Sequence, residues 1–241
     1  MVRSSLKEDI GKRDITTRLF IPQDKSVKAI LLAKEPCVVC GLDIARMVFK
    51  TMDKKIKFKP QVSDGRLVEK RTTLAQVEGN ARSILTAERV ALNFLSLLSG
   101  IATKTKRYVD AVKPYKIRIM DTRKTIPGLR ELEKYAVRVG GGYNHRMRLD
   151  EMVLIKDNHL KVIGDRLWVI GFKKIQIEVE VKSLKEFKKV LKLKPDIIML
   201  DNMSVRDMKK AVEIRNNLTP NTKHLTPKLE ASGGINLKNI K

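Results

Sequence analysis

Five basic side chains fall in three stretches of this sequence where loops are expected. Arg123 and Lys124 lie in Asp121-Thr-Arg-Lys-Thr-Ile-Pro-Gly128, His145 and Arg146 follow Gly140-Gly-Gly-Tyr-Asn, and Lys156 closes Met152-Val-Leu-Ile-Lys156. A guanidinium fork grips a carboxylate bidentately and an ammonium meets phosphate as a point charge, so the set can hold two carboxylates and a phosphate. One such pair alone reads equally well as exposed loop cations; the recurrence makes a site. Two acids end the next apolar segments, Glu180 in Ile175-Gln-Ile-Glu-Val-Glu-Val181 and Asp201 in Asp196-Ile-Ile-Met-Leu-Asp201. Such carboxylates bind sugar hydroxyls or hold Mg²⁺, which favours few carboxylates plus substrate phosphates. Strand alternation puts Glu178 and Glu180 on one face and does not separate them; Glu180 is preferred because it lies nearer the strand end. Ser232-Gly233-Gly234 is a small-residue loop suited to cradling phosphate with backbone N–H groups. The three glycines from Gly140 let backbone approach a ligand or take positive φ, but they lack the strand-to-helix context of a dinucleotide fingerprint.

The elements that must carry these residues fall into two patterns. In the first part, strands over 27–34, 56–62 and 73–79 mix with helices over 41–52 and 83–106. This predicts an α/β sandwich, helices on an antiparallel sheet, spanning 1–105. From 106 to 241 strands and helices alternate: strands 117–121, 152–156, 175–181, 196–201 and 228–231, helices 127–138, 183–193 and 204–218. Parallel βα units with polar residues at the strand ends predict an incomplete, TIM-like α/β barrel, C-terminally truncated, with its active site at that rim. Asn216 to Pro227, rich in turn formers, reads as a long surface loop.

Composition narrows the classes. The 241 residues, 42% of them apolar, suffice for one large or two modest cores. No apolar run near 18 residues and no apolar leader at Met1 predict a cytoplasmic chain without a membrane span. The formal charge of +24 favours polyanions and keeps a nucleic-acid-binding protein as an alternative. Against it, the lysines are scattered through amphipathic segments and aromatics are only 5%, too few for stacking platforms. Cys37-Val-Val-Cys40 has redox or zinc spacing without a second ligand pair, so a strand-to-helix turn is expected. His159 is expected to bond locally, and His224 to be exposed.

Read in order, Glu88-Arg-Val-Ala-Leu-Asn93, Asp121-Thr-Arg-Lys-Thr125, Gly140-Gly-Gly-Tyr-Asn-His-Arg-Met147, Leu154-Ile-Lys-Asp-Asn-His159, Glu178-Val-Glu180, Leu200-Asp-Asn202 and Glu230-Ala-Ser-Gly-Gly234 resemble the quinolinate phosphoribosyltransferase family. The match covers nearly the whole chain, from Glu8-Asp-Ile-Gly11 onward. The resemblance implies transfer of phosphoribose from phosphoribosyl pyrophosphate to quinolinate with decarboxylation, for NAD synthesis, in a homodimer or higher oligomer. By the same resemblance Arg89 (from the partner subunit), Arg123, His145, Arg146 and Lys156 would hold quinolinate. Lys124, Glu180, Asp201, Ser232, Gly233 and Gly234 would serve phosphoribosyl pyrophosphate, with Glu180 and Asp201 holding Mg²⁺ directly or through water. Lys124, Lys156, Glu180 and Asp201 would be the catalytic set. The chain departs from the family in ending at Lys241, in a short segment 161–174 around Trp168, and in Arg13 and Arg148 where glycine is usual, both expected to add only surface charge. A same-fold, molybdenum-transport-associated paralogue acting on another anionic acceptor is the competing enzyme reading.

Overall fold

The computed structural model describes residues 1–156, 158, 159, 162, 175–218 and 226–240. It divides into two compact units, Met1–His145 and Arg146–Ile240.

The first unit runs α1 (Val2–Ile10), α2 (Ile15–Phe20), β1 (Ser26–Leu32), β2 (Cys37–Val38), α3 (Leu42–Met52), β3 (Lys57–Pro60), β4 (Leu67–Val68), β5 (Thr73–Asn80), α4 (Ala81–Val112) and α5 (Arg130–Val139). β5 is the central strand of an antiparallel sheet of order β1-β5-β3, with Ala29 opposite Val77 and Phe58 also opposite Val77. Val77, Ala75 and Leu31 are buried with Val48, Phe49, Val90 and Phe94 of α3 and α4, which is the expected helix-on-sheet core. Neither α1 nor α2 is anticipated by the sequence reading. α2 has only six residues and depends on its cap, where Asp14 Oδ1 accepts from Thr17 N at 2.9 Å.

By length and composition α4 could cross a membrane. Here its apolar positions, among them Val90, Ala91, Phe94 and Leu98, are buried in protein. It runs without a break through residue 105. The strand expected over 117–121 does not form. Only a parallel bridge of Met120 with Tyr143 is present, made by Tyr143 N to Ile119 O at 2.8 Å and Asp121 N to Tyr143 O at 3.1 Å. The neighbouring backbone is a turn leaving the glycine run, so it offers partners over too few residues to propagate a ladder.

Cys37 begins β2 and Cys40 lies in the connection from β2 to α3, both as free thiols. Asp64 accepts there from Gly41 N at 2.9 Å, from Leu42 N at 3.2 Å and from Tyr135 Oη at 2.9 Å. Burial first, and then the charge of Asp64, push the Cys40 thiol from 9.0 up to about 12. The folded chain therefore keeps a proton that the unfolded chain releases near pH 9. Stability from this source is full below pH 9 and is lost as the pH rises toward 12. Cys40 is expected to resist a thiol-specific reagent at neutral pH until urea unfolds the chain. Rapid labelling in native buffer would contradict its burial.

The second unit runs β6 (Val153–Ile155), β7 (Ile177–Val181), α6 (Leu184–Leu191), β8 (Ile197–Asp201), α7 (Val205–Leu218) and β9 (Lys228–Ser232). The four strands pair in chain order, all parallel, as the alternation predicts. Ser183 caps α6, its hydroxyl accepting from Glu186 N at 3.2 Å. One sheet face, with Val179, Val181, Ile198 and Leu200, packs on Phe187, Val190, Leu191 and Ala211 of the helices. The registers align Glu180 with Met199 and Glu230, and Asp201 with Ser232. In a parallel sheet aligned residues share a face, so Glu178, Glu180, Asp201, Glu230 and Ser232 all lie on the face away from α6 and α7. Parallel strands are ordinarily apolar on both faces. This polar face is the departure that a site requires. α7 ends at Leu218, as the helix expected over 204–218 requires, and so takes in the first three residues of the stretch from Asn216 that also reads as a loop. Trp168 and His224 lie outside the described residues.

Candidate active site

In the first unit the site residues stand on two loops joined by hydrogen bonds. The Asp121–Gly128 loop is folded on its own polar side chains: Lys124 N donates to Thr122 Oγ1 at 3.0 Å and Arg130 Nε to Thr125 Oγ1 at 3.1 Å. Lys124 is exposed and Arg123 half-buried. The Arg123 Nε is buried and meets no acceptor among the described residues. A desolvated guanidinium N–H without an acceptor is uncommon in a finished interior and marks a place where an anion would be bound. Half-buried His145 is held by its backbone, its N–H donating to Asp121 Oδ1 at 2.9 Å and its carbonyl accepting from Lys134 Nζ at 2.8 Å. Arg89 is exposed on α4.

The glycine run does something other than what its composition suggests. A Cβ on Gly140 would lie 2.4 Å from Ala102 O, and one on Gly142 would lie 2.9 Å from Thr105 Cγ2, both in α4. Gly141 alone uses the freedom of positive φ, at 88°. The close approach is therefore of helix to loop and not of backbone to ligand.

In the second unit Arg146 donates from Nη1 to Met152 O at 2.9 Å. Arg148 is exposed and ion-paired with Asp150 at 3.2 Å and Glu151 at 3.6 Å, a surface role as expected; Arg13 is exposed too. Lys156 follows Ile155, which pairs with Val179, so Lys156 is level with Glu180 at the strand ends. His159 bonds locally, its Nδ1 accepting from Lys156 N at 3.1 Å. Lys156, Glu180, Asp201 and Ser232 to Gly234 thus gather at the carboxyl ends of neighbouring parallel strands, the edge where such sheets bind ligands.

The loop after β9 is built as a cradle. Gly233 and Gly234 have φ of 85° and 68°, and Asn202, itself at 53°, donates its N–H to Ser232 O at 2.8 Å. A Cβ on Gly233 would lie 2.2 Å from Asn202 Oδ1. Gly233→Ala should therefore cost at least about 1 kcal/mol for the left-handed backbone and disturb the loop besides. A thermal midpoint that matches the parent chain's would argue against that packing.

Two features of the site are not among the sequence candidates. Glu230 shares the polar face, and its carboxylate and that of Glu178 lie within 4.8 Å of one another; alternation along Lys228-Leu-Glu-Ala-Ser232 carries that signal. Lys134, 1% exposed, pairs with Asp121. It lies opposite Leu132 and Ala136 on α5, where a lysine reads as solvated, so no sequence signal marks it.

Parallel strands that end in acids, a lysine and a glycine cradle define an α/β protein of the barrel class that handles anionic ligands. Family models for the quinolinate phosphoribosyl transferase N-terminal and C-terminal domains match residues 14–99 and 101–241. The chain belongs to the quinolinate phosphoribosyltransferase family. It is 42% identical to the probable nicotinate-nucleotide pyrophosphorylase (carboxylating) of Methanocaldococcus jannaschii, over 100% of this chain and 86% of that protein. It is 41% identical to the nicotinate-nucleotide pyrophosphorylase (carboxylating) of Mycobacterium leprae, over 99% and 85%. The crystal structure of nicotinate-nucleotide pyrophosphorylase from Ehrlichia chaffeensis superposes with a TM-score of 0.91 at 38% identity, covering 99% of this chain and 86% of that one. These likenesses favour neither the paralogue nor the nucleic-acid reading.

Proposed function

We propose that the chain catalyses phosphoribosyl transfer from phosphoribosyl pyrophosphate to quinolinate with loss of CO₂, giving nicotinate mononucleotide and pyrophosphate. The observation that carries this, beyond family membership, is the buried Arg123 Nε without an acceptor among the described residues, on the loop where a carboxylate-gripping fork is required.

In this reading Arg123, His145 and Arg146 hold the two carboxylates, and Arg89, exposed on α4, reaches the site of the partner in a homodimer. Lys156 joins them at the acceptor, Lys124 holds phosphate oxygens, the Ser232–Gly234 cradle binds the 5′-phosphate through backbone N–H groups, and Glu180 and Asp201 orient the ribose hydroxyls. The polar face that groups Glu180 and Asp201 with Glu178 and Glu230 supplies the oxygen donors that suit a hard divalent cation. Mg²⁺ held by Glu180 and Asp201 would neutralise charge on the pyrophosphate.

The bond from C1 of ribose to pyrophosphate breaks as the pyridine nitrogen bonds to C1, and nearby carboxylates stabilise the positive charge that builds on the sugar. With the nitrogen quaternary, the C–C bond to the adjacent carboxylate breaks toward the ring, CO₂ leaves, and a proton takes its place. The side chains position and polarise, with no covalent nucleophile.

The test is an assay of the chain with quinolinate, phosphoribosyl pyrophosphate and Mg²⁺. Stoichiometric CO₂ and nicotinate mononucleotide are expected. Salt-dependent binding to duplex DNA without any turnover would replace this reading with the nucleic-acid one.

A further inference from the structure

The Lys134–Asp121 pair is buried in the interior of the first unit, with side chains 1% and 7% exposed. Burying two charges is costly, so such a pair is poor ground for stability alone. What surrounds it is more informative, because its hydrogen bonds converge on one residue. Asp121 Oδ1 accepts from His145 N at 2.9 Å, and Lys134 Nζ donates to His145 O at 2.8 Å. Both peptide groups flanking the His145 Cα are thereby fixed, one by the carboxylate and the other by the ammonium. Asn144 extends the clamp. With its amide turned to satisfy the surrounding groups, it donates to Asp121 Oδ2 at 2.9 Å and to Lys134 O at 3.0 Å, and its oxygen accepts from Arg138 Nη1 at 3.3 Å. Asp121 is also where the loop bearing Arg123 departs. An apolar pair of equal volume would fill the space, but it could not hold an N–H and a carbonyl of the same residue at once.

We infer that Lys134 and Asp121 are positioning residues for the acceptor diacid: their ion pair fixes the backbone of His145 and so aims its imidazole, without touching substrate. The inference deepens the reading of this site as a quinolinate site and rests on it.

The test is steady-state kinetics on the full chain with each substrate varied in turn, together with thermal midpoints, for the parent, Lys134→Met and the double variant Lys134→Met/Asp121→Asn. Misplacing a group by about 1 Å costs on the order of 100-fold. Lys134→Met is therefore expected to raise the quinolinate KM by about tenfold to a hundredfold, with the KM for phosphoribosyl pyrophosphate within about twofold of the parent. The double variant, with no bare buried charge, should regain the thermal midpoint while its quinolinate KM stays raised. An unchanged quinolinate KM in Lys134→Met overturns the inference. So does a double variant that recovers both midpoint and KM, or a Lys134→Met in which both KM values move together; each makes the pair a structural staple only. A parent chain that releases no CO₂ sinks the functional reading and the inference with it, whereas an active parent isolates the pair.

Discussion

Arg123→Ala should raise the KM for quinolinate by about thirtyfold or more while leaving the thermal midpoint nearly unchanged. The first half follows from the loss of a charge-assisted contact to a desolvated carboxylate, about 2–5 kcal/mol. The second half follows from what Arg123 does in the fold: its Nε is buried and bonded to no acceptor among the described residues. The loop around it is held by Thr122, Thr125 and Glu133 through their own bonds, so removing the guanidinium withdraws no bond from that Nε. Arg123→Lys keeps the charge and loses the fork, and should lie between the two with roughly a tenfold rise. Initial-rate measurements with quinolinate varied, beside melting curves, separate the outcomes. An Arg123→Ala chain with parental quinolinate KM would remove Arg123 from the acceptor site; one that melts much earlier would make it a structural residue.

The strand ends were legible because strands of alternating type state their own geometry. Ile177 to Val181 is apolar on one face and acidic on the other, and Ile197 to Asp201 is apolar up to the acid that ends it, so the pattern places Glu180 and Asp201 at the strand ends. The antiparallel sheet was legible for the same reason, and its registers put Val77 against Ala29 as alternation requires. What stayed hidden depends on contacts between segments far apart in sequence. The Asp14 that caps α2 also accepts from Thr86 Oγ1 of α4 at 3.0 Å, 72 residues further along the chain. The segment at 117–121 is apolar enough for a strand, yet only one bridge forms because the glycine turn beside it offers too little extended backbone. Lys134 was invisible because its anion, Asp121, lies 13 residues earlier on a loop. The glycines from Gly140 stand out in the sequence, but composition does not say that α4, rather than a ligand, is what comes close.

Gly140→Ala should destabilise the chain by at least about 3 kcal/mol, the upper range for overpacking. Gly140 ends α5 with φ −74° and ψ 0°, a conformation any residue adopts, so no backbone strain enters. The whole cost is steric: a Cβ would lie 2.4 Å from Ala102 O and 2.7 Å from Thr105 Cβ. Ala102 is fully buried within α4 and its carbonyl is helix backbone, so the clash is relieved only by separating α5 from α4. Separation would also carry Lys134 away from Asp121 and loosen His145, so the acceptor site should weaken along with the fold. Gly128→Ala is the control. Its φ of 81° makes alanine cost about 1–2 kcal/mol, but nothing lies within 4 Å of the added carbon. Urea unfolding of the two variants beside the parent compares them directly. Equal losses for Gly140→Ala and Gly128→Ala would mean that α4 and α5 are not in such close contact, and the explanation given for the glycine run would fail.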